Sequence, residues 1–241
     1  MITEAQDDRE RTALPVAAVI FDFDGIIVDS IQPDLLACSA LYREYGHGEL
    51  PVEWWAREVC GQPASYERLF DRLLAAREGA RHPDRTRLRQ RLDELWNVYF
   101  TDEHVRLMPV VRETLASLHA AGLPLAIASA SPLRWVERWL RHYELTQWFT
   151  TVVTSDDVTD RKPDPAVYLE ALRRLGVPAQ ASVAFEDSLS GIAAARAAGM
   201  TVVAVPTSAT RFLDHSTAHA VLDDLSAVSP KWLAKVRRTA C

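Results

Sequence analysis

The stretch VIFDFDGIIVDS, residues 19–30, places two aspartates, Asp22 and Asp24, at the end of a short apolar run. The longer run VAAVIFDFD, residues 16–24, is rich in β-forming residues and predicts a buried strand. Like charges repel and a buried carboxylate is costly, so two aspartates at the mouth of such a strand need a countercharge. This stretch therefore predicts the first strand of the fold and the position of a charged site.

Similar apolar runs recur along the chain and alternate with helical patterns. The helical patterns are VRETLASLHAAG, PLRWVERWLRHY, DPAVYLEALRRLG and SLSGIAAARAAG, and glycines follow several of them where helix ends are expected. Strands that alternate with helices predict an α/β fold with a Rossmann-like, doubly wound parallel sheet. The later strands are predicted at 123–129, 151–155, 182–187 and 201–206, with a weaker one at 218–225.

One long region interrupts this alternation. Residues 31–105 contain amphipathic helical patterns such as RTRLRQRLDELWNVYF but no convincing strand. We therefore predict an inserted helical domain at 31–105, within a core domain formed by residues 15–30 and 106–241. The polar, acidic residues 1–14 are predicted to form a flexible tail.

Composition limits the classes of function. The chain has 241 residues, of which 48% are hydrophobic and 25% are charged, as in a soluble globular protein. Its net charge of -6 argues against nucleic acid as a partner. Its three cysteines, its polar start and the lack of an apolar stretch of about 20 residues predict a cytoplasmic protein without a membrane partner. An anionic small substrate would need a lysine, an arginine or a metal at its site.

Polar side chains stand at the carboxyl ends of the predicted strands, where ligands bind in open α/β sheets. Because the predicted sheet is parallel, these ends gather at one edge. Several carboxylates there need a countercharge, and Mg²⁺, a hard divalent cation, would satisfy them. A site with Mg²⁺, a lysine and a hydroxyl suits a phosphoryl group. The candidate residues are Asp22, Asp24, Ser129, Lys162, Glu186 and Asp187.

Four motifs occur in a fixed order: FDFDGIIVDS, IASAS, RKPDP and FEDSLSGIAAARAAGM. With these motifs the chain resembles the haloacid dehalogenase-like superfamily, in its β-phosphoglucomutase-like and sugar-phosphatase branch, from Val16 to about Pro206. The resemblance implies that the insertion at 31–105 is a helical cap that closes over the substrate. It also implies phosphoryl transfer with Mg²⁺ as the cofactor.

The resemblance implies a role for each motif residue. Asp22 would be the nucleophile that forms an aspartyl-phosphate, and Asp24 would move the proton and offer its backbone carbonyl to the metal. Ser129 would hold the phosphoryl oxygens, and Lys162 would orient Asp22 and offset charge. The implied metal ligands are Asp22, Asp24, Glu186 and Asp187, with the last two acting directly or through water.

Other residues would contact the substrate. The resemblance implies phosphate contacts at Gly25 and Ala130, beside Ser129 and Lys162. The Cys60–Gly61 turn resembles the loop that sets substrate specificity in this family, and Arg57 and Gln62 flank it.

The resemblance leaves a choice between phosphatase and phosphomutase. An acid at Asp24 points to these two classes rather than to dehalogenases. Asp34, Ala64 and Pro132 depart from the sugar-recognition residues of the mutases and favour a phosphatase for a sugar or polyol phosphate. A sugar phosphomutase is the first alternative, and a non-catalytic protein that binds a phosphorylated metabolite is the second. The protein is expected to be a monomer or a weak homodimer.

Overall fold

A six-stranded parallel sheet forms the centre of the protein, in a computed structural model that describes residues 16–62, 65–75 and 84–240. The predicted tail at 1–14 and Ala64 lie outside these residues. The strands are β1 (Ala18–Phe21), β2 (Val28–Asp29), β3 (Arg106–Leu107), β4 (Leu125–Ala128), β5 (Thr151–Val153), β6 (Ser182–Glu186), β7 (Thr201–Ala204) and β8 (Ala220–Val221). The sheet has the order β5-β4-β1-β6-β7-β8, and β2 and β3 form a separate antiparallel pair.

Helices cover both faces of the sheet, which confirms the doubly wound α/β fold. In the described ranges they are α1 (Ile31–Glu44), α2 (Val52–Glu58), α3 (Ser65–Ala75), α4 (Arg85–Tyr99), α5 (Val111–Ala120), α6 (Leu133–His142), α7 (Ala166–Leu175), α8 (Leu189–Ala197) and α9 (Pro230–Ala240). Helices α5, α6 and α9 pack on one face, and α7 and α8 pack on the other. The sequence patterns predicted α5 to α8 but not α9.

The strands are buried on both sides. In β1, Val19 and Phe21 join the apolar cluster under α5, α6 and α9, whereas Ile20 joins the cluster under α7 and α8. Alternate residues of a strand point to opposite faces, so a strand covered twice is apolar throughout. This explains the uninterrupted apolar runs of the sequence.

Helices α1 to α4 form a cluster of their own. The buried side chains of this cluster come almost entirely from these four helices and the loops that follow them, and Leu41, Trp55 and Phe70 are among the largest. The short strands β2 and β3 lie where the chain leaves the sheet and returns to it, and Val28 pairs with Leu107. No strand lies between residues 31 and 105 in the parts of that region that the structure describes.

The carboxyl ends of three strands align at one edge of the sheet. Phe21 of β1 is in register with Ile127 of β4 on one side and with Phe185 of β6 on the other. The chain fills the β4 side first and then crosses to the β6 side, so β1 marks the point where the winding reverses. Ligand crevices of open α/β sheets form at such a point. None of the helices in the described ranges is both long and apolar enough to span a bilayer.

Candidate active site

Lys162 lies at the centre of the site and joins two buried acids. Its Nζ donates to Asp22 Oδ1 at 2.6 Å and to Glu186 Oε1 at 2.6 Å. A third hydrogen bond reaches the backbone carbonyl of Ala128 at 2.9 Å. The acceptors stand at the carboxyl ends of β1, β6 and β4, and the lysine comes from the loop between β5 and α7. Lys162 therefore fixes Asp22 against the edge of the sheet.

Burial and charge act together on these groups. Burial, followed by the charge of Glu186, raises the pKa of Asp22 above its usual range, although Lys162 lowers it. Burial by itself would lower the pKa of Lys162, but the two carboxylates that face it outweigh this effect and raise the pKa. The single positive charge of Lys162 cannot neutralise both carboxylates. The cluster therefore has an excess of acidic groups, which a bound cation would offset.

Three carboxylates form a site that can hold a metal ion. One oxygen from each of Asp22, Glu186 and Asp187 lies within 4.8 Å of the other two. Asp187 is buried, and its Oδ2 has no hydrogen-bond partner in the described part of the chain. Burial, and then the charges of Asp22 and Glu186, raise the pKa of Asp187 well above its ordinary value. A buried acceptor without a donor is costly, and an all-oxygen set of ligands fits a hard divalent cation.

Two glycines leave room for these carboxylates. A Cβ on Gly25 would overlap Asp187 Oδ2, and Gly25 has a φ of +85°, which favours glycine. A Cβ on Gly191, in the first turn of α8, would overlap the carboxylate of Glu186. The N–H of Gly25 donates to the Val28 carbonyl at 2.7 Å. In this structure Gly25 therefore makes space for Asp187, and its own N–H is occupied.

Asp24 lies beside the carboxylate cluster, and three donors hold its carboxylate. Oδ1 accepts from Ser30 Oγ at 2.6 Å and from Trp135 Nε1 at 2.8 Å, and Oδ2 accepts from Ser131 Oγ at 2.6 Å. These donors stand at the starts of α1 and α6, and Asp24 is not one of the three carboxylates whose oxygens lie within 4.8 Å of one another. A role of Asp24 in metal binding would therefore use its backbone carbonyl, and the carboxylate remains a candidate for proton transfer.

Ser129 and Ala130 follow β4 directly. Ser129 is buried, its N–H donates to the Val153 carbonyl at 2.9 Å, and its Oγ accepts from the Ser131 N–H at 3.0 Å. This arrangement leaves the hydroxyl hydrogen of Ser129 to donate to a ligand. Ala130 is exposed at the edge of the sheet.

The loop after α2 reaches the site from the helical region. Ser190 Oγ, in the first turn of α8, donates to the Gly61 carbonyl at 2.7 Å. Because α8 begins just after the acids that end β6, this contact places the loop beside the carboxylate cluster. Gln62 is half-buried directly after the turn. Arg57 is exposed on α2.

Tyr168 and Trp135 belong to the site but were not predicted from the sequence. Tyr168 OH donates to Glu186 Oε1 at 2.6 Å and lies 3.3 Å from Lys162 Nζ. A buried tyrosine or tryptophan needs a partner for its polar group, which is the one signal in the sequence that could have pointed to these residues. Which partner each one meets depends on the tertiary fold.

Known proteins resemble this chain along most of its length. A family model described as haloacid dehalogenase-like hydrolase matches residues 19–205. The phosphorylated carbohydrates phosphatase of Thermotoga maritima is 34% identical over 184 residues, which are 76% of this chain and 82% of that protein. The phosphoglycolate phosphatase of Pseudomonas fluorescens is 33% identical over 217 residues, which are 88% of this chain and 78% of that protein.

A solved structure has the same fold. CbbY from Rhodobacter sphaeroides, crystallised in complex with phosphate, superposes with a TM-score of 0.68 at 25% sequence identity. The match covers 88% of this chain and 96% of that chain.

Proposed function

The chain belongs to the haloacid dehalogenase-like hydrolases, and we propose that it is a Mg²⁺-dependent phosphatase for a sugar or polyol phosphate. The reaction would proceed through an aspartyl-phosphate at Asp22. The observation that carries this proposal is the position of Asp22. Lys162 Nζ lies 2.6 Å from Asp22 Oδ1, and the neighbouring Asp187 has an Oδ2 that meets no hydrogen-bond partner among the described residues. The similarity to a phosphatase of phosphorylated carbohydrates supports the substrate class.

The first step would form the aspartyl-phosphate. Among the described residues, no hydrogen-bond donor holds Asp22 Oδ2, which leaves this oxygen available as the nucleophile. Oδ2 forms a bond to phosphorus while the bond from phosphorus to the ester oxygen breaks, and Asp24 gives that oxygen a proton. For this step Asp24 must give up one of its three hydrogen bonds and form a new one to the ester oxygen of the leaving group. Ser129 donates to a phosphoryl oxygen, and Lys162 stays protonated.

The second step would release phosphate. Asp24, now a carboxylate, takes a proton from a water molecule whose oxygen attacks phosphorus. The bond between phosphorus and Asp22 breaks, so inorganic phosphate leaves and the Asp22 carboxylate is restored. One aspartate thus serves as the acid in the first step and as the base in the second.

The carboxylates of Asp22, Glu186 and Asp187, with the backbone carbonyl of Asp24, would hold the metal. When bound, Mg²⁺ neutralises charge on the phosphoryl group and orients it. In the structure both oxygens of Glu186 already accept hydrogen bonds, from Lys162 and Tyr168 on one and from Ser188 on the other. This supports a contact between Glu186 and the metal through water.

Helices α1 to α4, within residues 31–105, would act as the cap over the substrate. The hydrogen bond between Ser190 and Gly61 supports this role, because it places a loop of these helices against the site. Closure would exclude water before the first step. Arg57 and Gln62 would meet the substrate from this side.

The proposal also covers the cellular location, the partners and the oligomeric state of the enzyme. Cys38 and Cys60 are free, buried thiols, which fits the reducing cytoplasm. The negative net charge supports a small-molecule substrate rather than nucleic acid. We infer a monomer or a weak homodimer.

Release of inorganic phosphate from a panel of phosphorylated metabolites tests the proposal. We expect release from sugar or polyol phosphates with Mg²⁺, and loss of release with a chelator or in Asp22→Asn. Asp29→Asn is the matched control, because Asp29 accepts from the Gln32 N–H and takes no part in the site. Isomerised sugar phosphates without free phosphate would indicate a phosphomutase instead. Binding without any conversion would indicate a non-catalytic binding protein.

A further inference from the structure

Asp34 is a buried carboxylate in helix α1, and the proposed chemistry does not use it. It lies in the first turn of α1, and its N–H donates to the Ser30 carbonyl at 3.2 Å. The hydroxyl of Ser30 in turn donates to Asp24. Residues four apart share one face of a helix, so Asp34 lies on the same side of α1 as this contact with Asp24.

Neutral hydrogen-bond donors contact the Asp34 carboxylate, and one of its oxygens can accept a further hydrogen bond. Oδ1 accepts from Trp96 Nε1 at 2.8 Å and has Cys38 Sγ at 3.8 Å. Tyr66 OH lies 3.2 Å from Oδ1 and 3.1 Å from Oδ2, but it has one proton and donates to one oxygen at a time. Oδ2 therefore retains the capacity to accept another hydrogen bond. In the described part of the chain no basic side chain forms an ion pair with Asp34.

A row of aromatic rings connects the two carboxylates. Successive rings in the row lie 4.9, 6.3 and 5.1 Å apart. The first two rings bind Asp34, and the last one donates to Asp24. All four side chains are half-buried, so each keeps an exposed part. The row consists of Tyr66, Trp96, Phe100 and Trp135, and it runs from Asp34 to Asp24.

We propose that Asp34 selects the substrate by accepting a hydrogen bond from a hydroxyl of a polyhydroxylated ester whose phosphate is its one charged group, and by repelling an ester with a second anionic group. This inference rests on the proposed phosphatase function and narrows its substrate class to esters without a second anionic group. The aromatic row offers apolar surface to the carbon chain, while Asp34 accepts a hydrogen bond from a hydroxyl group of that chain. A second anion would meet a negative charge that no basic side chain offsets within the described residues, in surroundings that screen charge less than water does.

Two esters that differ in one group test the inference. Sorbitol 6-phosphate ends in a hydroxymethyl group where 6-phosphogluconate ends in a carboxylate. We expect the wild-type protein to favour sorbitol 6-phosphate by about tenfold or more in kcat/KM, and Asp34→Asn to remove most of this preference. Asp93→Asn, which removes an exposed acid on α4, is the matched control and should retain the preference.

The outcomes separate the inference from the function on which it rests. Equal kcat/KM values for both esters in the wild-type protein would overturn the selection by Asp34, and this comparison needs no variant to fold. A preference that survives in Asp34→Asn would also overturn it. Hydrolysis of 4-nitrophenyl phosphate but of neither sugar derivative would overturn the substrate class and leave a phosphatase. No phosphate from any of the three esters would overturn the proposed function itself.

Discussion

At the scale of single residues, Asp24 and Asp22 occupy different environments although they are two positions apart. Asp22 accepts a hydrogen bond from a lysine, whereas the donors that Asp24 meets among the described residues are two hydroxyls and an indole. A group that exchanges a proton must change partners easily, and neutral donors release a carboxylate more readily than a buried lysine does. The two environments therefore fit a nucleophile and a proton carrier.

We expect Asp24→Asn to lower kcat for a sugar or polyol phosphate by about 10²–10⁴-fold, because an amide cannot protonate the leaving oxygen. An ester with a good leaving group, such as 4-nitrophenyl phosphate, needs no such proton in the first step. The variant should therefore release a rapid burst of 4-nitrophenolate and then stall, which stopped-flow absorbance measures. An unchanged kcat with the sugar phosphate would remove Asp24 from proton transfer.

The buried carboxylate of Asp34 lowers the stability of the folded protein when it is charged. Burial is the largest influence and raises its pKa to about 6, although hydrogen bonds from Trp96 and Tyr66 lower it. An acid with a raised pKa holds its proton more tightly in the folded state than in the unfolded chain. The charged carboxylate therefore destabilises the fold above about pH 6, and this cost fades as the pH falls towards 3.8.

For this reason Asp34→Asn should raise the free energy of unfolding by about 1–3 kcal/mol at about pH 8. The gain should shrink as the pH falls from about 6 towards 3.8, where the wild-type carboxyl is protonated in both states. Urea unfolding of both proteins across this range measures the difference. A variant less stable than the wild type at about pH 8 would mean that lost hydrogen bonds outweigh the charge.

At the scale of elements, the turn between β1 and β2 places the backbone directly against Asp187, one of the proposed metal ligands. Gly25 in this turn has a positive φ and lies against Asp187, which follows the neighbouring strand β6. Gly122, after α5, has a φ of +74°, but a Cβ added to it would have no neighbouring atom within 4 Å beyond the adjacent residues. The two glycines share the backbone requirement and differ in what surrounds them.

Alanine at either glycine should cost about 1–2 kcal/mol of stability through the left-handed backbone. Only Gly25→Ala should also displace Asp187 and raise the Mg²⁺ concentration that gives half-maximal phosphate release. Gly122→Ala is thus the control for backbone strain. If both variants kept the wild-type Mg²⁺ dependence, Asp187 would not be a metal ligand.

The predictable elements are those in which one local signal decides the structure. The runs that became β1, β4, β5, β6 and β7 are apolar on both faces, and α5 to α8 repeat their apolar residues at helical spacing. Strands β2 and β3 have two residues each, too few for any periodicity to show. Helix α9 follows the last predicted strand, and its burial against the sheet depends on the whole fold.

At the scale of the whole molecule, the topology of the sheet explains which site residues the sequence could predict. Four of the site residues stand at the end of a strand or directly after it, and a parallel sheet brings these strand ends together. They are Asp22, Ser129, Glu186 and Asp187. Asp24 and Asp34 each have one partner that comes from a distant helix. Trp135 is 111 positions from Asp24, and Trp96 is 62 positions from Asp34. No local pattern encodes such pairs, because they depend on how the helices α1 to α4 meet the core.

Chemical trapping of the phosphorylated enzyme tests the central claim most directly. Borohydride added to an acid-quenched reaction reduces an acyl phosphate to an alcohol, which would convert Asp22 to homoserine. The account predicts homoserine at position 22, found by mass spectrometry of the peptide that contains β1, only when Mg²⁺ and a hydrolysed sugar or polyol phosphate are both present. Continued turnover without homoserine at position 22, or with the label on another acid, would contradict it.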